Sequence, residues 1–192
     1  MSDLRGSLRR MSDIADRYRR LSADLTGTIE GVPDDRWSSP TPCEGWDARQ
    51  LARHLVESQG QFLGLVGIPP EPGPSVDDEP ADAWVAARDQ LQAALDDPAT
   101  ATREFDGFDG RSTLERAVER FICLDLIVHR WDLARATGQD ERLQPDDVEW
   151  AHQAAASFGP MLRMEGVCGP EVEVPENADP QTRMLAFGGR RV

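Results

Sequence analysis

Residues 121–138 read FICLDLIVHRWDLARATG, and this stretch decides the fold. Its apolar residues recur at helical intervals, and Gly138 suits the left-handed position that stops a helix. Upstream, Ser112 and Glu115 have the S-x-x-E spacing of a capping box. One helix is therefore predicted from there to about Ala136. On a wheel drawn at about 100° per residue, Leu114, Ala117, Val118, Phe121, Ile122, Leu124 and Val128 share a broad arc. Asp125 falls near the centre of that arc, with His129 and Asp132 close by. Asp125 and His129 are four residues apart, so they meet on one face. An ionised carboxylate aimed into a core is unfavourable unless it has a partner.

Three partners fit the chemistry. A divalent ion would give the carboxylate and the imidazole a shared function, but two ligands are too few. Another helix must supply more, and His54 lies on the flank of an apolar stripe two turns into the second helix. His152 lies off the inward stripe of its helix and reads as a surface residue. The second reading is a plain Asp–His or Asp–Arg pair that only holds the fold; D-x-x-x-H is common on helices. The third is a metal-free acid/base dyad. It lacks a nucleophile: Ser58 and Cys123 are near, but there is no G-x-S-x-G elbow and no Walker loop. DGFDG and FGG are too short to cradle a phosphate.

The rest of the chain extends the helical reading. Leu4, Leu8, Met11, Ile14, Tyr18, Leu21 and Leu25 form the stripe of a first helix that Gly31 and Pro33 end. Asp47 is placed as the N-cap of the second, with Leu51, Leu55, Phe62 and Leu65 facing inward. The proline-rich, acidic residues 67–80 read as loop. A third helix fits residues 81–95, packing through Trp84, Leu91 and Leu95. Residues 96–110 are a connector, partly extended. Pro145 suits the first turn of a helix carrying Val148, Ala151, Ala155, Phe158 and Leu162 inward, and residues 179–187 form a short closing helix. Neither an internal repeat nor a strand pair is read. The expected class is all-α, one domain over residues 1–192, with four main helices packed as a bundle.

Composition limits the function. The chain has 192 residues, a net charge of -14 and a pI near 4.6. That field repels phosphate backbones, which argues against nucleic acid as a partner. All 21 basic residues are arginine. Mean hydropathy is -0.52 and no 18-residue apolar run occurs, so no membrane span is expected. The amino-terminal stretch is charged and lacks an apolar signal core, so a cytoplasmic location is expected. Cys43, Cys123 and Cys168 are far apart and form no CxxC pair, which disfavours a disulfide framework or a cysteine zinc site. Cys123 reads as a small core residue.

Residues 38–56, SSPTPCEGWDARQLARHLV, place a Thr-Pro-Cys, a tryptophan three residues on and a histidine on the following helix. Together with LDLIVHRWDLARATG at 124–138 and EVEVPENADPQTRMLAFGGR at 171–190, they resemble the metal-binding domain of the mycothiol-dependent maleylpyruvate isomerase family, within the DinB/YfiT-like superfamily. That resemblance implies a DinB-like four-helix bundle in up-down-down-up order, with an added short C-terminal helix. It implies one divalent metal, zinc first, with nickel, iron or manganese as others, held by His54, Asp125 and His129. Relatives carry glutamate or histidine where this chain has Asp125.

The full-length isomerases have a second domain that this chain is too short to hold. What the resemblance implies more broadly is a three-ligand metal that activates a low-molecular-weight thiol, such as mycothiol, against a small electrophile. The activity would be that of a transferase or isomerase. It implies a homodimer in many relatives. The alternative is a non-catalytic metal-binding or protein-interaction bundle.

Asp132 is read as the carboxylate behind His129, or else as a solvated acid paired with Arg135. Trp46 and Trp131 are expected in the core rather than at the pocket mouth. Cys43 is read as packing, because Glu44 and Asp47 oppose a lowered thiol pKa. Arg130 serves either the surface or an anionic ligand. No catalytic or cofactor-binding residue is assigned.

Overall fold

The computed structural model describes residues 2–107, 110–164 and 167–192, with side chains described from residue 13 onward. The expected inward positions of Leu4, Leu8 and Met11, and Phe108 and Asp109 of the DGFDG segment, lie outside those described side chains. The chain is mostly helical. In order it forms α1 (Ser2–Glu30), α2 (Ala48–Leu65), α3 (Pro80–Asp96), α4 (Pro98–Ala101), β1 (Glu104–Gly107), β2 (Gly110–Thr113), α5 (Leu114–Ala117), α6 (Cys123–Thr137), α7 (Pro145–Ser157) and α8 (Pro180–Phe187).

α1 and α2 each pack against α3 and α6 around one core, and α7 packs on α6 and α8. Tyr18, Leu25, Leu51, Leu55, Trp84, Leu91, Leu126 and Trp131 are fully buried at its centre. Each such apolar side chain stabilises the fold by about 1.5–3 kcal/mol. Tyr18 carries its hydroxyl into this layer and donates to Gln59 Oε1 at 2.8 Å. The polar Ser58 and Gln59 thus occupy inward positions of α2. A smaller cluster of Ala155, Phe158 and Leu162 packs beside Phe121 and Phe187.

The helix ends follow local chemistry. Asp47 caps α2: its carboxylate accepts from Gln50 N at 2.8 Å, while Gln50 Oε1 accepts from Asp47 N at 2.9 Å. Gly138 takes φ 76°, a conformation open to glycine, and ends α6. Asp179 caps α8, and Pro145 opens α7 as expected.

Four expectations are corrected. A strand pair exists: β1 and β2 are antiparallel, with Phe105 opposite Ser112. Neither strand has β-branched alternation, so the periodicity gave no sign of it. The Ser112/Glu115 capping box does not form, because Ser112 is committed to β2. Thr113 is the N-cap and makes no side-chain cap bond. On α2, Leu63 points inward at 2% exposure and Leu65 outward at 43%, since the inward stripe runs through Leu55, Gln59 and Leu63 at four-residue steps.

The fourth correction concerns the helix of the opening stretch. A π-turn at Val118–Ile122 joins α5 to α6. Its wider turn inserts one residue into the phase, so Ile122 and Leu126 are buried, while Asp125 sits at the edge of the core with 40% of its side chain exposed. Among the described residues, no helix is long and apolar enough to cross a membrane.

Candidate metal centre

α2 and α6 bring His54, Asp125 and His129 to one place, at the edge of the core that the π-turn leaves open. Each offers one ligand-type atom, and these atoms all lie within 4.8 Å of one another. His54 Nε2 stands 3.4 Å from Asp125 Oδ2. The His54 and His129 rings are 5.2 Å apart and nearly perpendicular. His54 and Asp125 are partly exposed and His129 is almost fully buried, so the cluster has a closed floor and an open side.

The donor set fits a divalent ion. An ion with bonds of about 2.0–2.1 Å in tetrahedral geometry spaces its ligand atoms about 3.3–3.4 Å apart, and the His54–Asp125 separation meets that. Imidazole suits zinc and its neighbours, and zinc also takes a carboxylate oxygen. If all three bound one ion, a fourth position would be left for a small molecule, on the side where His54 and Asp125 are exposed.

His129 is held from behind. Its Nδ1 lies 2.9 Å from Asp132 Oδ2. Asp132 is completely buried. Burial pushes its carboxyl up, but the hydrogen bond from His129 and the charge of Arg190 outweigh that and hold it below the ordinary carboxylate range. An ionised carboxylate only accepts, so the proton is on His129 Nδ1, which donates. Nε2 is then the nitrogen left for His54 and Asp125. This is the carboxylate–histidine arrangement that orients metal-ligating imidazoles.

Asp132 does not pair with Arg135, which reaches Glu141 at 2.7 Å instead. Its partner is Arg190, near the end of the chain. Arg190 Nη2 donates to Asp132 Oδ2 at 3.0 Å, and Nε lies 3.4 Å from Oδ1. Cys43 completes the group, with its thiol 3.3 Å from Asp132 Oδ2 and 3.9 Å from His129 Nδ1. Burial, followed by the charge of Asp132, pushes the Cys43 thiol up to about 12. Cys43 packs against the core, as expected, and the groups that raise its thiol are burial and Asp132, not Glu44 and Asp47.

The loop ahead of α2 fixes Cys43 and Trp46. Thr41 N and Oγ1 both donate to Trp46 O at 2.9 Å, and Gly45 turns the chain with φ 78°. Trp46 is a correction: it is half-buried and lies over the site, its ring 4.9 Å from His54 and 6.4 Å from His129. Trp131 is in the core, as expected. Arg130 donates to Arg142 O, and His152 is exposed beside Phe187. A groove of about 440 Å³ between α2, α3 and the loop 67–79 contains none of the cluster residues.

A profile of the family described as the mycothiol maleylpyruvate isomerase N-terminal domain matches residues 18–134. The chain belongs to this family. Two uncharacterized proteins from two strains of Mycobacterium tuberculosis are each 30% identical over 182 residues, which is 91% of this chain and 96% of the relative. No solved structure matches the chain significantly.

The segment matched to the family contains Cys43, His54, Asp125, His129 and Asp132; Arg190 lies beyond it. Sequence reasoning missed Arg190 and the role of Cys43. The only signal for either was the resemblance of the segments around them, which says nothing of the contact between them.

Proposed function

We propose that this family member is a divalent-metal protein in which His54, Asp125 and His129 hold one ion, zinc before nickel, iron or manganese. It would use a small thiol of the mycothiol type against a small electrophile, as a transferase or isomerase. The convergence of these three side chains from two helices carries the reading. An ion held there supplies the acidity that lets a thiol lose its proton near neutral pH.

The protein's own groups do the rest. Asp132 keeps the His129 proton on Nδ1 and the ring in one orientation. Asp125 adds one negative charge to two neutral imidazoles, which moderates the acidity of the centre. Trp46 covers one side and limits water, while the exposed edges of His54 and Asp125 leave the approach for thiol and electrophile. The same reading takes α1, α2, α3 and α6 as a DinB-like bundle in up-down-down-up order, forming one cytoplasmic domain over the whole chain.

The test is metal analysis of protein purified without chelator. About one ion per chain is expected in the wild type, and near none in His54→Ala and His129→Ala. Near-zero metal in all three ends the metal reading. Cobalt-substituted protein should change its visible spectrum on adding mycothiol; no change, and no adduct with any electrophile of a broad panel, ends the thiol-enzyme reading.

A further inference from the structure

His129 belongs to two clusters. One joins it to His54 and Asp125, the other to Cys43 and Asp132, and each gathers its ligand-type atoms within 4.8 Å. A thiol, an imidazole and a carboxylate form a good ligand set for zinc or cobalt. By ligand chemistry alone, the second cluster would compete for the ion, pulling on His129 through the opposite nitrogen.

What distinguishes the two is Arg190. Its side chain is only 11% exposed. Its Nη2 lies 3.0 Å from Asp132 Oδ2 and 3.6 Å from Cys43 Sγ. Its Nε faces Asp132 Oδ1 at 3.4 Å. Nη1 donates to Gly188 O at 2.8 Å, which anchors the guanidinium from the far side. A permanent positive charge therefore already sits among the atoms a second ion would need. His54 and Asp125 instead face each other, Nε2 to Oδ2 at 3.4 Å, and among the described residues no arginine side chain pairs with either.

We propose that Arg190 is the resident cation of the second cluster. It keeps metal off Cys43 and Asp132, and so confines the ion to His54, Asp125 and His129. The inference rests on the proposed metal centre and adds a residue from outside the segment matched to the family. Arg190 acts through Asp132 and Cys43, as a positioning and selecting residue.

Cobalt(II) titration of the full chain tests this, because thiolate ligation gives a sulfur-to-cobalt charge-transfer band in the near ultraviolet. The wild type is expected to show visible cobalt bands without it. Arg190→Gln, checked for fold by circular dichroism, is expected to gain the band and to lose it again in combination with Cys43→Ser. Arg190→Lys keeps the charge and should not gain it. Cys43→Ser alone should leave the wild-type cobalt spectrum unchanged.

A charge-transfer band in the wild type that Cys43→Ser removes overturns the proposal, as does the band in Arg190→Lys; neither needs Arg190→Gln to fold. A folded Arg190→Gln with the wild-type spectrum overturns this inference and leaves the metal centre standing. A wild type that binds no cobalt overturns both.

Discussion

Asp132→Asn tests the support behind His129 with almost no change of shape. In the wild type, Oδ2 accepts from His129 at 2.9 Å, Arg190 at 3.0 Å and Cys43 at 3.3 Å, and Oδ1 faces Arg190 Nε at 3.4 Å. An asparagine has one oxygen and one NH2 group. Whichever way it turns, a donor faces a donor, and Arg190 keeps its charge in a buried place with no counter-charge. Removing one partner of a buried ion pair costs about 3–5 kcal/mol. The amide oxygen still accepts one or two bonds, so the lower end applies, about 3 kcal/mol. For a chain of this size that lowers Tm by roughly 6–12 °C.

The same change should weaken metal binding by about 10–100-fold, the usual effect of losing the group behind a ligating histidine. Two measurements separate these effects. Thermal melts in excess chelator read the apo stability, and competition with a chromophoric chelator reads the affinity. An apo Tm within about 2 °C of wild type, together with unchanged affinity, refutes the reasoning. Arg135→Ala is the control: its pair with Glu141 is partly exposed, and such pairs contribute at most about 1 kcal/mol.

Three other outcomes are expected. The folded-state pKa of Asp132 lies below its unfolded value, so its ionisation contributes stability above about pH 4 and that stability is lost as pH falls further; urea midpoints of the apo protein should drop more steeply below pH 4 in the wild type than in Asp132→Asn, and parallel curves contradict this. The Cys43 thiol, pushed up to about 12, should resist alkylation at pH 8 in the native protein and react on unfolding; peptide mass spectrometry showing labelling at a free-cysteine rate would speak against it. Tyr18→Phe leaves buried Gln59 Oε1 without its hydroxyl donor and should destabilise by about 1–3 kcal/mol in chemical denaturation, whereas Leu65→Ser, at an exposed position, should stay within about 0.5 kcal/mol.

Residues 121–138 illustrate how far a wheel can be read. Its period named the helix and the spacing of Asp125 and His129, but its angle was wrong. The π-turn ahead of Cys123 shifts the phase, so Asp125 sits at the rim of the core and not at its centre. Leu65 was misplaced because polar Ser58 and Gln59 occupy inward positions that hydropathy cannot recognise. The hairpin β1–β2 was missed because its strands lack apolar alternation.

The sequence by itself determined the main helices, the cap at Asp47, the stop at Gly138 and the four-residue spacing that puts Asp125 and His129 on one face, with a carboxylate three places after His129. All of these are set by atoms within about four residues of each other along the chain, so spacing is enough to read them. Tertiary structure alone decided that Arg190 reaches Asp132 across 58 positions and that Cys43 reaches His129 across 86. Those contacts depend on where loops and whole helices are carried by the packing of the core. Burial works against charge on Asp132, so its ionised form depends on the hydrogen bond from His129 and the charge of Arg190, a balance no local pattern encodes.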